Sequence, residues 1–98
     1  MATGYVGILS FELYFPENHS LKGKRKDLLS VKAQLQRRFG ASVAEVDHHD
    51  VWQRARLTLA CVARGHNELQ GLLDGAERYL GGQAFELVGV EREIVTLE

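Results

Sequence analysis

The stretch from Tyr5 to Phe15, YVGILSFELYF, alternates between two kinds of side chain and decides the fold. Its odd positions are almost all apolar: Tyr5, Gly7, Leu9, Phe11, Leu13 and Phe15. Its even positions are mixed: Val6, Ile8, Ser10, Glu12 and Tyr14. Period-two alternation is typical of a half-buried strand. We therefore predict a strand here with its odd face toward the core, ended by Pro16.

Two segments downstream have helical periodicity. Ser20 is a good N-cap, and Gly40 follows the last position of the first apolar stripe, which comprises Leu21, Leu28, Val31, Leu35 and Phe39. The second stripe comprises Leu69, Leu72, Leu73, Ala76 and Leu80, and a Gly81-Gly82 pair follows it. The spacing predicts one helix that follows the Ser20 cap to about Phe39 and a second from His66 to Leu80.

Three more strands complete the pattern. We predict strands at 42–47, 54–63 and 85–97, the last broken near Gly89. In the first of these, Ala44 and Val46 are expected to face the core. In the second, the inward residues are Leu57, Leu59 and Cys61, and the outward ones are Arg56, Thr58 and Ala60. The polar turn 48–53 carries Trp52, which we expect to cover one end of the core.

The resulting order is β-α-β-β-α-β, and residues 1–98 contain no linker-like stretch. Two right-handed βαβ units joined by a hairpin give a four-stranded antiparallel sheet with both helices on one face. The sequence therefore predicts a single α+β domain with a ferredoxin-like fold.

The composition is that of a globular chain. Of the 98 residues, 45% are hydrophobic and 26% are charged. One cysteine excludes an internal disulfide, and as an inward residue of a central strand it is expected to be inert. The N-terminus has no basic region before an apolar stretch, and no apolar run has the length to cross a bilayer. We expect a cytoplasmic protein without a membrane partner.

The net charge of −1 conceals an uneven distribution. Residues 19–38 contain seven Lys or Arg and one acidic residue, which gives +6. Four of these cations, Lys22, Lys24, Arg25 and Lys26, lie in the first two helical turns, where the helix dipole disfavours positive charge. Such a segment is either a site for an anion, above all phosphate, or a solvated charged surface. Gly23 would let a ligand approach the backbone closely.

The topology brings the start of the first helix and the hairpin between the second and third strands to the same end of the sheet. The candidate anion- or nucleic-acid-binding residues at this end are His19, Ser20, Lys22, Lys24, Arg25, Lys26, Arg54 and Arg56. Arg54 and Arg56 have a second interpretation, since they are also placed to pair with Glu45 or Glu12 across the sheet.

His48 and His49 are weak candidates for a metal site, because their spacing matches no established ligand pattern. The simpler interpretation is a polar turn in which Asp47 or Asp50 bonds its own backbone. The chain contains neither a P-loop nor a dinucleotide-binding fingerprint, and its serines lack a nucleophile motif. We predict no cofactor and assign no catalytic residue.

Three segments together resemble the YlxP-like family of small bacterial proteins: HSLKGKR at 19–25, SVAEVDH at 42–48 and WQRAR at 52–56. The resemblance covers nearly the whole chain. It implies a ferredoxin-like fold, but the family is a domain of unknown function and no catalytic residues carry over. The genes of the family often lie among those for translation initiation and ribosome maturation, which suggests RNA or the ribosome as a partner.

Three functions stay open at this point. The first is a non-enzymatic accessory factor that binds the phosphate backbone of structured RNA or the ribosome. The second is a homo-oligomeric interaction module that uses the open face of the sheet, including Val6, Ile8, Ala60 and Val62. The third is an enzyme acting on a phosphorylated small molecule, for which no convincing nucleophile is present.

Overall fold

The computed structural model describes residues 2–98 and contains the predicted order of elements. These are β1 (Gly4–Tyr14), α1 (Leu21–Phe39), β2 (Ser42–Asp47), β3 (Arg54–Ala63), α2 (His66–Gly81) and β4 (Glu86–Leu97). The βαββαβ topology and the ferredoxin-like α+β fold are confirmed. Within residues 2–98, no helix is long and apolar enough to cross a membrane.

The four strands form one antiparallel sheet in the order β2-β3-β1-β4. β1 and β3 are the central strands, and β2 and β4 are the edges. The predicted break in β4 is present as a shift in its register with β1 beside Phe11 and Glu12. Gly89 lies in this shift with φ of 59°, a conformation that glycine adopts without steric cost.

The core lies between the helices and one face of the sheet. The inward residues of β1 and β3 are buried as predicted, and they pack with the inward stripes of both helices. Gly7 is needed for this packing, because a Cβ built there would lie 2.8 Å from Leu73 and 2.9 Å from Leu69. α2 therefore approaches β1 closely at the one inward position without a side chain.

Both predicted boundaries of α1 are confirmed by their cap geometry. The Ser20 hydroxyl accepts a hydrogen bond from the Gly23 amide at 3.0 Å. Gly40 adopts φ of 62°, and its amide donates to the carbonyl of Gln36 at 3.1 Å. α2 lacks both devices, since Gly65 at its N-cap offers no side chain and Gly82 at its C-cap has φ of −97°.

Two predictions about side-chain direction are wrong. In β2 the inward residues are Val43 and Glu45, whereas Ala44 and Val46 are exposed. β2 pairs Val43 with Leu59 and Glu45 with Leu57, both of which face the core, so register imposes this orientation. Trp52 does not cover the core, because 53% of it is exposed.

Candidate nucleic-acid interface

Lys24 is fully buried near the start of α1. Its ammonium donates to the Glu45 carboxylate at 3.0 Å and to the carbonyl oxygens of His48, Arg54 and His49 at 2.7, 3.2 and 3.3 Å. Three ammonium protons are thus shared among four acceptors. Lys24 was predicted as a ligand-binding cation, but its donors are directed into the protein.

The position of Lys24 follows from local structure. It is the fourth residue of α1 and lies one turn after the Ser20 cap, on the side of the helix that faces the hairpin between β2 and β3. Glu45 faces inward from β2, so the ammonium and the carboxylate meet at the edge of the core. An unpaired charge at such a position would be costly, and the four acceptors remove this cost.

Asn18 connects the start of α1 to the same hairpin. Its side-chain amide donates to the carbonyl of Ser20 at 2.8 Å and to that of Trp52 at 2.5 Å. The predicted convergence of the helix start and the hairpin is therefore present. Gly23 has a different role from the one expected, because a Cβ at this position would overlap Asn18 Oδ1. The space beside Gly23 is filled by the protein itself.

Glu12 organises the opposite side of the sheet. Its carboxylate accepts a hydrogen bond from the Arg54 guanidinium and lies 3.1 Å from Nε2 of His48. The hydrogen bond from Arg54 outweighs the opposing effect of burial and lowers the pKa of Glu12 below its ordinary value. His48 has φ of 64°, and it also supplies a carbonyl to Lys24. One turn residue therefore connects the two faces of the sheet.

Arg56 lies beside this group on the same outer face. It donates to the Ser10 hydroxyl at 3.1 Å, and its guanidinium is 3.9 Å from the carboxylate of Glu91. The pairing interpretation is thus correct for Arg54 with Glu12, whereas Glu45 pairs with Lys24. Arg54 and Arg56 are separated by the sheet from the cations of α1.

Five of the six remaining cations of α1 form one surface, and the sixth, Arg38, packs over the rings of Phe39 and Tyr79. We call this surface the α1 basic face, and it comprises Lys22, Arg25, Lys26, Lys32 and Arg37. Lys32 is half-buried and the other four are exposed. None of the five forms an ion pair with any residue in the described range 2–98. His19, also exposed, precedes this face at the N-terminal end of the helix.

The two histidines of the hairpin are already engaged. His48 contacts Glu12, and Nε2 of His49 lies 3.2 Å from the carbonyl of Glu45. Across residues 2–98, no group of three or more His, Cys, Asp or Glu side chains is placed to hold a metal ion. Cys61 is buried against the carbonyl of Phe39, and burial raises the pKa of its thiol.

The structure therefore divides the eight predicted residues into groups. Lys22, Arg25 and Lys26 share one exposed surface, and His19 lies near its start, whereas Ser20 serves as the helix cap. Lys24 is internal, and Arg54 and Arg56 lie on the far side of the sheet. Sequence reasoning missed Lys32 and Arg37, although their helical spacing from Arg25 and Lys26 would have placed them on the same side.

Residues 6–92 match the model of a family described as "Protein of unknown function (DUF503)". The chain belongs to this family. It is also 31% identical over 72 residues to the uncharacterised protein YlxP of Bacillus subtilis (strain 168), which covers 69% of this chain and 78% of that one. The predicted family resemblance is confirmed, and it assigns no biochemical role.

Among solved structures, the chain is similar to a de novo designed protein named Ferredog-Diesel. The TM-score is 0.43 at 19% identity, and the match covers 88% of this chain and 83% of the designed one.

Proposed function

We propose that this protein is a non-enzymatic accessory factor that binds the phosphate backbone of structured RNA through the α1 basic face. The observation that carries the proposal is a surface of five cations with no ion-pair partner among residues 2–98. Glu45, which lies beside Arg25 and Lys32, is already paired with Lys24. Unpaired surface cations neutralise phosphates and release counterions on binding.

The geometry of α1 suits an extended anionic partner. At 100° per residue the five side chains fall within an arc of about 140°, and Lys22 and Arg37 are separated by about 22 Å along the helix axis. A small phosphorylated molecule is much shorter than this surface. A nucleic-acid strand offers phosphates along the whole length, which favours a polymer as the ligand.

The positive charges at the helix start disagree with the helix dipole. Lys22, Arg25 and Lys26 occupy the first two turns, and the first turn contains no acidic residue. Each such charge costs a few tenths of a kcal/mol. Local rules are most often violated at functional sites, so this cost supports a binding role.

The central strands offer no platform for reading bases. RNA-recognition domains of this general architecture stack bases on aromatic side chains of the central strands. Here the outward positions of β1 and β3 include Ser10, Glu12, Arg56 and Thr58, with Tyr14 only at one end. We therefore propose contacts to backbone and shape without sequence-specific reading of single strands.

The test is binding to total ribosomal RNA, titrated from low to physiological salt. The variant Arg25→Glu/Lys26→Glu reverses two exposed charges of the α1 basic face and leaves the buried Lys24 intact. Arg64→Glu/Arg78→Glu makes the same change in net charge at exposed positions outside α1 and serves as the control. The parent should bind with steep salt dependence, and the first variant should lose about two units of the log–log salt slope.

Two results would contradict the proposal. One is a parent protein that does not bind at low salt. The other is an equal loss of affinity in the two variants, which would indicate a general effect of net charge. Competition with duplex RNA and with a single-stranded homopolymer would then separate shape recognition from stacking, and we expect the duplex to compete better.

A further inference from the structure

The sheet has one face that no element of residues 2–98 covers. Both helices pack on the inward face of the sheet. The even-numbered residues of β1, starting at Val6, and of β3, starting at Arg54, therefore point away from the helices. Five of the exposed large apolar side chains belong to this open face: Val46, Val62, Val88, Val95 and Leu97. Apolar side chains concentrated on one surface mark interaction sites.

The open face is divided along the strand direction. At one end lie Val6, Ile8, Ala60, Val62, Val95 and Leu97, which we call the apolar end. At the other end Glu12, Arg54 and Arg56 lie on the two central strands. Register places Val6 opposite Val62 and Glu12 opposite Arg56. We call each pair of residues that lie side by side on β1 and β3 a level. At each level of the open face, the β1 residue has a β3 neighbour of compatible chemistry.

We propose that a second copy of this chain covers the open face, related by a two-fold axis that runs parallel to the strands between β1 and β3. This rotation keeps each residue at its own level and exchanges β1 with β3 of the partner. Val6 of one copy then faces Val62 of the other, and Glu12 of one faces Arg56 of the other. A surface that complements itself in this way is what an isologous dimer requires.

Charge decides between the possible axes. A two-fold axis perpendicular to the strands would place the apolar end of one copy on Glu12, Arg54 and Arg56 of the other. These charged groups would then lose water to valines that offer them no hydrogen bond, and their only partners would be those within their own copy, which is unfavourable. The parallel axis brings Val6 and Val62 together and opposes Glu12 with Arg56, whereas Glu91 and Glu93 of the edge strand β4 lie opposite β2, at the margin of the interface. Sheets that pack face to face also keep their strands within about 30° of one another.

The area of the face is consistent with a specific but weak dimer. Four strands about 4.8 Å apart, with six to twelve residues each, present about 600 Å² per copy. Two copies would bury about 1,200 Å², at the lower end of the range for specific interfaces. The apolar end supplies only about half of this area, so the charged levels also have to be buried in the interface.

The dimer is independent of the RNA proposal, because α1 packs on the inward face of the sheet and the second copy would pack on the other face. Both α1 basic faces would stay exposed in the assembly, on opposite outer surfaces. A partner with two separated phosphate tracts would then bind with the benefit of bivalency. The dimer itself requires no ligand and is tested without one.

The first experiment measures molar mass by light scattering during size exclusion over a range of protein concentrations. Val62→Glu places a charge in the proposed interface, and Leu29→Glu makes the same change on the solvent side of α1. The two positions are matched, with 72% and 70% of the residue exposed, so neither change disturbs the core. The parent and Leu29→Glu should dimerise at micromolar concentration, and Val62→Glu should be a monomer.

The second experiment tests the axis. Across the proposed axis, Val62 lies at the same level as its own copy, about 4.8 Å to the side and about 10 Å away across the two packed sheets, so the two Cα atoms are about 11 Å apart. This distance is too long for a direct disulfide, so a short bismaleimide reagent should cross-link Val62→Cys between the two copies and should not cross-link Leu29→Cys. The native Cys61 is buried and does not interfere. A monomeric parent at high micromolar concentration, a dimeric Val62→Glu variant or a Val62→Cys variant that does not cross-link would each overturn the proposal.

Discussion

The fourth residue of each helix is buried, but it is charged in α1 and apolar in α2. Lys24 is the fourth residue of α1 and Leu69 is the fourth residue of α2, and both are 0% exposed. Leu69 packs against the backbone of Gly7 and needs no polar partner. Lys24 needs Glu45 and three carbonyl oxygens from the hairpin. One βαβ half thus begins its helix on an apolar contact and the other on an ionic one.

The comparison shows why α1 has an organised hairpin beside it and α2 does not. An apolar side chain is satisfied by any close-packed surface, because the hydrophobic effect is non-directional. A buried ammonium requires acceptors at defined positions. The residues between β2 and β3 are arranged to supply them, with His48 in a left-handed conformation. Removing the cation should therefore disturb more of the chain than removing the leucine.

The largest effect is expected for Lys24→Met, which keeps an unbranched side chain one atom shorter and removes its charge. Glu45 and three carbonyls would lose their donor, and we expect the free energy of unfolding to fall by about 3–5 kcal/mol. Urea denaturation would measure this loss. A change below 1 kcal/mol would show that the buried contacts contribute little.

The double variant Lys24→Met/Glu45→Leu is the control for this prediction. It removes both charges, so no unpaired carboxylate is left beside the core. We expect it to be more stable than the sum of the two single changes predicts, because residues in direct contact are not additive. Additive effects would mean that the two side chains do not interact in solution.

The equivalent change in α2, Leu69→Ala, should cost about 3 kcal/mol through lost apolar contact and the cavity left behind. This loss should be the same at pH 7 and in acid, and in low and high salt, because no charge is involved. Denaturation curves at the two salt concentrations check this. A strong salt dependence would contradict the purely apolar description of this contact.

The C-terminal ends of the helices provide a smaller contrast. Gly40→Ala places a side chain at φ of 62° and should lower the free energy of unfolding by about 1 kcal/mol or slightly more. Gly82 has φ of −97°, which alanine adopts easily. In Gly82→Ala the added Cβ would lie 3.6 Å from the nearest atom, which is an ordinary contact. We expect little change in melting temperature for the second variant. Equal losses would show that backbone conformation is not the cause.

The smallest effect concerns Glu12, which connects to the α1 side of the sheet through His48. The folded pKa of Glu12 is lowered, so its ionised form stabilises the fold above the ordinary carboxyl pKa, and this contribution is lost as the pH falls through the lowered value. Glu12→Gln should cost less than about 1 kcal/mol at pH 7, because Arg54 is half-exposed and solvent screens the pair. The difference from the parent should shrink below pH 4. A constant difference across this range would rule out ionisation as its origin.

The fold was predictable because its signals are local and repeated. Alternation in β1 and β3, helical stripes in 21–39 and 66–80, and glycines after both helices each point to the same topology. The direction of β2 was not predictable from its own six residues, since both faces contain an aliphatic side chain. Its register with β3 turns Glu45 inward and Val46 outward.

The candidate site was predictable in part. The excess of positive charge at 19–38 located the exposed cations Lys22, Arg25 and Lys26. It gave no means of separating them from Lys24, because all four have the same local character in the sequence. The inward Glu45 and the hairpin carbonyls distinguish Lys24, and they come from a segment more than twenty residues away.

The sequence by itself determined the order of elements, the apolar faces of the central strands and the concentration of positive charge on α1. These properties depend on period and composition, which are written in neighbouring residues. Only the tertiary structure decided that Lys24 is internal, that Glu45 faces inward beside it, and that Arg54 pairs with Glu12. Those outcomes depend on which residues distant in sequence come into contact, and strand register and helix packing determine those contacts.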